Sequence, residues 1–381
     1  MYESDRDLPY DPQTYKDAYD EMEHGKIRMS GIRSAIEAAD AHQDTSYRIY
    51  FRLELCRESV FYGDGLDMMV IFPQALAIID QYPDTEATVH ELGYSNSLDH
   101  ILWVYKWMLE ECADFYQVPL EDCLKFFEDF KKRSLAYGYN LRPYYYYKYF
   151  FYSDIGKQLS TEAFHKFEEL PRDGNCDCEA CEQNSIVNFY LKNGDPERAA
   201  RLAEDIEHFR LTCGHGDKGA WLRLKKQYMK YHMERGEYEE AETYCRMMER
   251  HMTKDKEYQR WEDFLWCYAN TNMGKALQIY KAHWKEWEQE RNPSEIFDVN
   301  KNIACFFKKL AKEQTKKTIR LPLDASFPLY DEQGCYLLED LFQYYYNRAR
   351  DVARRFDQRN GTSSYCDRLA AALKSGGDLD V

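Results

Sequence analysis

The sequence predicts an all-α protein, an α-solenoid in which antiparallel helical hairpins stack in a row and a C-terminal helical cap closes the stack. Apolar residues recur with helical spacing along nearly the whole chain, whereas patterns typical of strands are scarce. Tyr contributes 33 of the 381 residues, and this amphipathic side chain suits thin, half-buried layers. Together these observations favour a stacked helical array over a protein built on a central sheet.

Three segments are expected along the chain. An N-terminal helical hairpin is predicted over 1–43, helical repeats over 44–292, and a C-terminal helical capping region over 293–381. The predicted helices, with approximate ends, cover 12–23, 26–42, 46–62, 67–81, 97–116, 119–136, 144–152, 160–170, 183–193, 196–211, 218–235, 238–248, 255–270, 273–290, 294–312, 334–357 and 363–374. One extended segment is predicted at 318–321.

The predicted helix at 144–152 is aromatic on more than one side. Its Tyr and Phe residues are too many for a single face, so we expect neighbouring helices to sandwich it. An aromatic wall of a ligand groove is the alternative that this pattern leaves open.

Five residues of the types that commonly bind metals flank the two helices predicted at 183–193 and 196–211. Cys176, Cys178 and Cys181 precede the first of these helices, and Cys213 and His215 follow the second. In an antiparallel hairpin, the start of the first helix lies beside the end of the second. The two groups are therefore expected to meet at one end of a hairpin spanning 176–215.

Thiolates and a neutral imidazole are the ligands that zinc takes in a tetrahedral structural site. Cys178, Cys181, Cys213 and His215 are the predicted ligands, because C-x-x-C has the commonest chelating spacing, and Cys176 is the spare fifth candidate. Free thiols in polar loops are the plainer alternative. A catalytic zinc is disfavoured because no H-E-x-x-H pattern occurs in the chain. The prediction is a structural Zn²⁺.

A short turn between helices recurs three times in the second half of the chain. The turn at 193–199 aligns with the turn at 235–241, and 272–276 is a weaker copy, at offsets of about 42 and 35 residues. Gly lets the chain reverse after one helix, and the small Ala at the start of the next lets two helices approach closely. In this turn the chain resembles the tetratricopeptide-repeat superfamily, in its divergent bacterial members. The resemblance implies a TPR-like right-handed superhelix with a concave ligand surface, and it implies no chemistry.

Composition narrows the range of functions. The net charge of −16 and a pI of about 5.2 oppose contact with phosphate backbones, so we expect no nucleic-acid partner. No apolar run approaches the length of a membrane helix, the start of the chain does not resemble a signal peptide, and the 12 Cys lie mostly in helical context. A cytoplasmic protein without a membrane partner is the expectation.

The predicted function is a protein- or peptide-binding scaffold, a cytoplasmic bacterial regulator or partner-binding protein that acts through its concave surface. No phosphate-binding loop, dinucleotide fingerprint or nucleophile elbow occurs in the sequence, so no enzyme is predicted. Two alternatives remain open. One is a zinc-dependent enzyme, and the other is a redox-responsive regulator that uses the cysteines of 176–215.

Overall fold

The fold is all-α, as the sequence predicts. The computed structural model describes residues 10–63, 65–82, 97–214, 218–251 and 261–375, and these contain seventeen helices and two short strands. Their contacts divide the chain into two compact units, residues 1–175 and 176–381. The predicted boundaries at 43 and 292 stay predictions.

The first unit contains eight of the described helices, several of which end within one or two residues of their predicted ends. They are α1 (Pro12–Asp20), α2 (Lys26–Ala41), α3 (Thr45–Tyr62), α4 (Met68–Gln81), α5 (Ser97–Asp114), α6 (Leu120–Ala136), α7 (Arg142–Ser153) and α8 (Lys157–Glu169). None of the described helices in either unit has both the length and the apolar content needed to cross a bilayer.

The aromatic helix α7 is a packing element. Five of its aromatic side chains are buried, namely Tyr144, Tyr146, Tyr147, Tyr149 and Phe151. It packs against α5, α6 and α8. These contacts confirm the prediction that neighbouring helices enclose this helix on several sides. A helix with this much buried aromatic surface needs such neighbours.

The second unit contains the remaining helices and both strands. They are α9 (Glu179–Lys192), α10 (Pro196–Glu207), α11 (Gly219–Glu234), α12 (Tyr238–Glu249), α13 (Trp261–Thr271), α14 (Met273–Glu288), α15 (Pro293–Glu313), β1 (Thr318–Arg320), β2 (Cys335–Leu337), α16 (Leu338–Asn360) and α17 (Ser364–Ser375). Residues 252–260 are outside the described part of the chain, so the predicted start of a helix at 255 lies there too.

Consecutive helices of the second unit pack against each other. In addition, α9 contacts α11, and α13 contacts α15, so alternate helices also touch. One hydrophobic core extends from α11 to α16 and includes Phe327, from the loop between the strands, and Tyr336 of β2. The core therefore continues across residue 292, where the capping region is predicted to begin.

The repeated turn has the same helix start in all three copies. The residue before each second helix is its N-cap, and an Ala four positions later is completely buried: Asp195 with Ala199, Glu237 with Ala241, and Asn272 with Ala276. The glycine of the turn, by contrast, does not have the same position in all three copies. Gly194 and Gly236 have positive φ angles of 80° and 74°, whereas α13 and α14 are joined by a single residue. The glycine of the third copy, Gly274, lies inside α14 and takes no part in the turn.

This difference between glycines gives a matched pair of variants. Gly236→Ala is expected to destabilise the protein by about 1–2 kcal/mol, the cost of a left-handed backbone for a residue with a Cβ. No atom lies within 4 Å of the added methyl group, so the cost comes from the backbone alone. Gly274→Ala is expected to be neutral or to stabilise the protein by up to about 1 kcal/mol, because Ala is the better helix former. Urea unfolding of both variants measures the difference, and equal effects would contradict it.

Within the described residues, the C-terminal region contains an error of element type. The extended segment predicted at 318–321 is confirmed as β1, but the helix predicted from 334 begins only at Leu338. Residues 335–337 form β2 instead, antiparallel to β1. The cause is local: the Asp331 carboxylate accepts hydrogen bonds from the amides of Gln333 and Cys335, at 3.0 and 3.1 Å, and so turns the chain back along β1.

Candidate metal centre

The first helix of the candidate site starts earlier than the sequence indicates. It was expected near Gln183, but α9 begins at Glu179 with Cys178 as its N-cap. The thiol of Cys178 does what a Ser or Asp side chain does at this position, because its Sγ accepts a hydrogen bond from the amide of Cys181 at 3.3 Å. Cys181 thus lies in the first helical turn, and the helix fixes its side chain beside that of Cys178.

The second helix ends earlier than predicted. It was expected to reach about Leu211, but α10 ends at Glu207. Phe209 has a φ angle of +54°, and the amides of Arg210 and Leu211 both bond to the carbonyl of Asp205, at 2.8 and 3.0 Å. This tight reversal leads the chain to Cys213, which is buried at 4% exposure.

The three cysteines of these two segments come together. The sulfur atoms of Cys178, Cys181 and Cys213 all lie within 4.8 Å of one another. The distance from Cys181 Sγ is 2.7 Å to Cys178 Sγ and 3.5 Å to Cys213 Sγ. None of the 12 cysteines forms a disulfide, so no disulfide holds this group together.

An arginine from the next helix completes the arrangement. Arg223 of α11 donates a hydrogen bond from Nη2 to Cys181 Sγ at 3.0 Å. Its position is fixed because α11 packs on α9. In the same contact, the side-chain amide of Asn184 on α9 donates a hydrogen bond to the backbone carbonyl of Ala220 on α11 at 2.9 Å. A cation that donates to a thiolate balances part of the charge that three cysteines bring to a metal.

Cys178 and Cys181 titrate as a pair. The hydrogen bond between the two sulfurs lowers the pKa of Cys178 to about 5, and the backbone amide of Cys181 and the charge of Arg223 act in the same direction. The same hydrogen bond, together with burial, raises the pKa of Cys181. The lowered pKa of Cys178 favours its thiolate, and the thiolate is the form that binds metal.

Three of the five predicted ligands are thus brought together. Cys176 is buried at 8% exposure but does not belong to the group of three sulfurs. His215 lies outside the described residues. The sequence prediction missed Arg223, because its approach depends on how α11 stacks on α9, and no local pattern encodes that register.

The arrangement fits a thiolate-binding metal. In a tetrahedral site with Zn–S distances of about 2.3 Å, sulfur ligands lie about 3.8 Å apart. The separations of 2.7 and 3.5 Å are shorter than that value, and no two of the three sulfurs are more than 4.8 Å apart, so the sulfurs would have to move apart slightly to hold zinc. Cysteine sulfurs favour zinc and other soft or borderline metals over Mg²⁺ or Ca²⁺.

Comparison with known proteins adds no family to this picture. No protein-family model matches the sequence, and a search of curated proteins finds no match to it. The functional argument therefore rests on the geometry of the chain itself.

Proposed function

We propose that this chain is a helical-repeat scaffold that binds a partner protein or peptide, and that a structural zinc ion fastens one of its helix pairs. The observation that carries the metal part of the proposal is the approach of three sulfurs to within 4.8 Å of one another. They come from the start of α9 and from the segment after α10. Cys178, Cys181 and Cys213 would supply three ligands and His215 the fourth, a closed set typical of structural zinc.

The repeats support a TPR-like solenoid of antiparallel hairpins. Three helix starts share an N-cap followed four residues later by a fully buried Ala, at 199, 241 and 276. A small residue there lets the two helices of a pair approach closely. Contacts between alternate helices, α9 with α11 and α13 with α15, are what stacking of successive pairs requires.

A polar network connects the first helices of these pairs, on the side that would face the concave surface. The carboxylate of Asp263 on α13 lies 3.2 and 3.3 Å from the Nζ atoms of Lys226 and Lys230 on α11. Asn302 of α15 donates to the same carboxylate at 3.4 Å. Asp263 and Asn302 are buried at 8% and 5% exposure, so the two lysines are the part of this network that a bound chain can reach. The proposed partner is a protein or peptide, and neither nucleic acid nor membrane, in a bacterial cytoplasmic regulator.

Metal removal tests the structural role. Treatment of the reduced protein with a strong chelator is expected to lower its melting temperature by several degrees, and added Zn²⁺, but not Mg²⁺, should restore it. Thermal melts followed by circular dichroism measure both steps. Identical melting curves before and after complete metal removal would refute a structural metal.

The redox alternative has one observation in its favour. Cys178 and Cys181 are 2.7 Å apart, and a lowered thiol pKa promotes attack on oxidants. Under that alternative, mild oxidation of metal-free protein changes partner binding, whereas metal removal alone leaves the melting temperature unchanged. The two proposals therefore predict opposite outcomes in the same melting experiment.

A further inference from the structure

A surface groove forms where the chain passes from the strands into α16. Its lining comes from the loop at 328–331, from β2 and from residues between 340 and 344 of α16. We call it the 328–344 groove, and its volume is about 600 Å³. Phe327 anchors it from below: its ring is 2% exposed and lies 6.1 and 5.5 Å from the rings of Tyr336 and Tyr344.

Large apolar side chains lie exposed along this groove. Leu329, Tyr330 and Leu337 are 38%, 44% and 49% exposed, although the buried core lies directly beneath them. Scattered exposed apolar residues need no explanation, but several lining one concavity are typical of an interaction site.

The charged side chains that line the groove are acidic. Its lining contains the carboxylates of Asp331 and Asp340 and no Lys, Arg or His. Asp331 holds the turn through one carboxylate oxygen, which accepts the amides of Gln333 and Cys335. Asp340 is exposed in the first turn of α16. Two carboxylates beside apolar surface complement a cation and repel phosphate groups.

The protein already holds one arginine with the same chemistry. On the neighbouring turn of α16, the guanidinium of Arg348 lies 5.3 Å from the ring centre of Tyr344 and pairs with Glu288. In this unit, a tyrosine ring next to a carboxylate thus already binds an arginine side chain. Tyr330 and Asp331 likewise bring a tyrosine ring and a carboxylate to the lining of the groove.

We propose that the 328–344 groove binds a short segment of a partner protein in which a Lys or Arg adjoins an apolar residue. The cation pairs with Asp331 and Asp340 against the exposed ring of Tyr330, and the apolar residue packs on Leu329 and Leu337. A small amine alone would leave the apolar wall exposed to water, and a nucleic acid would meet two carboxylates. This inference rests on the proposed partner-binding function, because it names the chemistry of the partner.

The test uses three fluorescein-labelled octapeptides that share their apolar residues and differ only in carrying Arg, Glu or Gln at the remaining positions. Fluorescence polarisation with the full-length protein is expected to show binding of the Arg peptide alone. The Asp331→Asn/Asp340→Asn variant should bind it about tenfold more weakly, since charge-assisted contacts of this kind contribute most of the discrimination. Leu337→Ala should weaken it as well.

A matched variant controls for net charge. Glu239→Gln/Glu240→Gln removes the same number of charges from exposed positions of α12 and should leave binding unchanged. The inference is overturned if the Arg peptide does not bind, if the Glu peptide binds as well, or if both double variants weaken binding equally. It is also overturned if sedimentation shows that the groove joins two copies of this chain, with a dimer that Asp331→Asn/Asp340→Asn dissociates.

Failure of this inference and failure of the proposed function are distinguishable. If the Arg peptide binds and the groove variant leaves its affinity unchanged, partner binding stands and the groove is the wrong site. Zinc content measured on the same preparations reports on the metal centre independently of either result.

Discussion

Replacing Cys178 and Cys213 together by Ser is expected to abolish zinc binding and to lower the free energy of unfolding by about 4 kcal/mol. That is the contribution of a ligand present at a thousandfold its dissociation constant. The two substitutions remove one thiolate from each of the segments that the metal joins. Urea unfolding monitored by circular dichroism, with zinc quantified on the same samples, measures the effect.

The effect should be large because the buried apolar face of α10 is small. Its buried side chains are Ala199, Ala203 and Ile206, and the two alanines contribute little apolar area. At roughly 25 cal/mol per Å² of buried apolar surface, such a face stabilises a helix weakly. A metal that joins the segment after α10 to the start of α9 would supply what this helix pair lacks in core.

Two single variants serve as controls. Cys335→Ser replaces an exposed thiol on β2, and it should change stability by less than about 0.5 kcal/mol. Cys176→Ser should keep its zinc, because the sulfur of Cys176 is not part of the group of three. Loss of zinc from Cys176→Ser with retention in the double variant would reverse the ligand assignment.

Phe307→Ala is expected to destabilise the second unit by about 3–5 kcal/mol, the usual cost of deleting a fully buried aromatic side chain. Phe307 of α15 has no exposed surface, and its ring centre lies 4.9 Å from that of Tyr280 on α14 and 5.9 Å from that of Tyr345 on α16. The phenolic oxygens of those two tyrosines bond to each other at 2.9 Å. The cavity would open where α14, α15 and α16 pack together.

The control for this variant is Leu337→Ala, which truncates a side chain that is 49% exposed in the same unit. It should cost less than about 1 kcal/mol, and it also verifies that the variant used for the groove is folded. Denaturant unfolding of both variants makes the comparison. A loss below about 1 kcal/mol for Phe307→Ala would mean that α14, α15 and α16 do not share the core described above.

Helix periodicity predicted most of the fold, and its errors have local causes. The start of α9 was misplaced because Cys178 caps the helix with a thiol, a residue that capping rules do not anticipate. The three residues of β2 were assigned to a helix because a strand so short has no alternation to recognise. Gly274 was aligned with Gly194 and Gly236 by residue type, although the feature common to the three turns is the buried Ala.

The candidate site was predictable to the extent that it depends on chain topology. Cysteines at the start of one helix and after the next must meet if the two helices fold back on each other, and Cys178, Cys181 and Cys213 do. Arg223 was not predictable, because it reaches the sulfurs through packing of α11 on α9. The 328–344 groove was missed for the same reason, since its walls come from a loop and a helix that only the tertiary fold brings together.

The most direct test of the metal centre is the zinc content of the reduced wild-type protein, purified without added metal and measured by plasma mass spectrometry. We predict about one zinc per chain, held by thiolates and an imidazole in a tetrahedral site. Fewer than about one zinc per ten chains, in protein that refills with neither zinc nor another thiophilic metal, would contradict a structural metal at Cys178, Cys181 and Cys213.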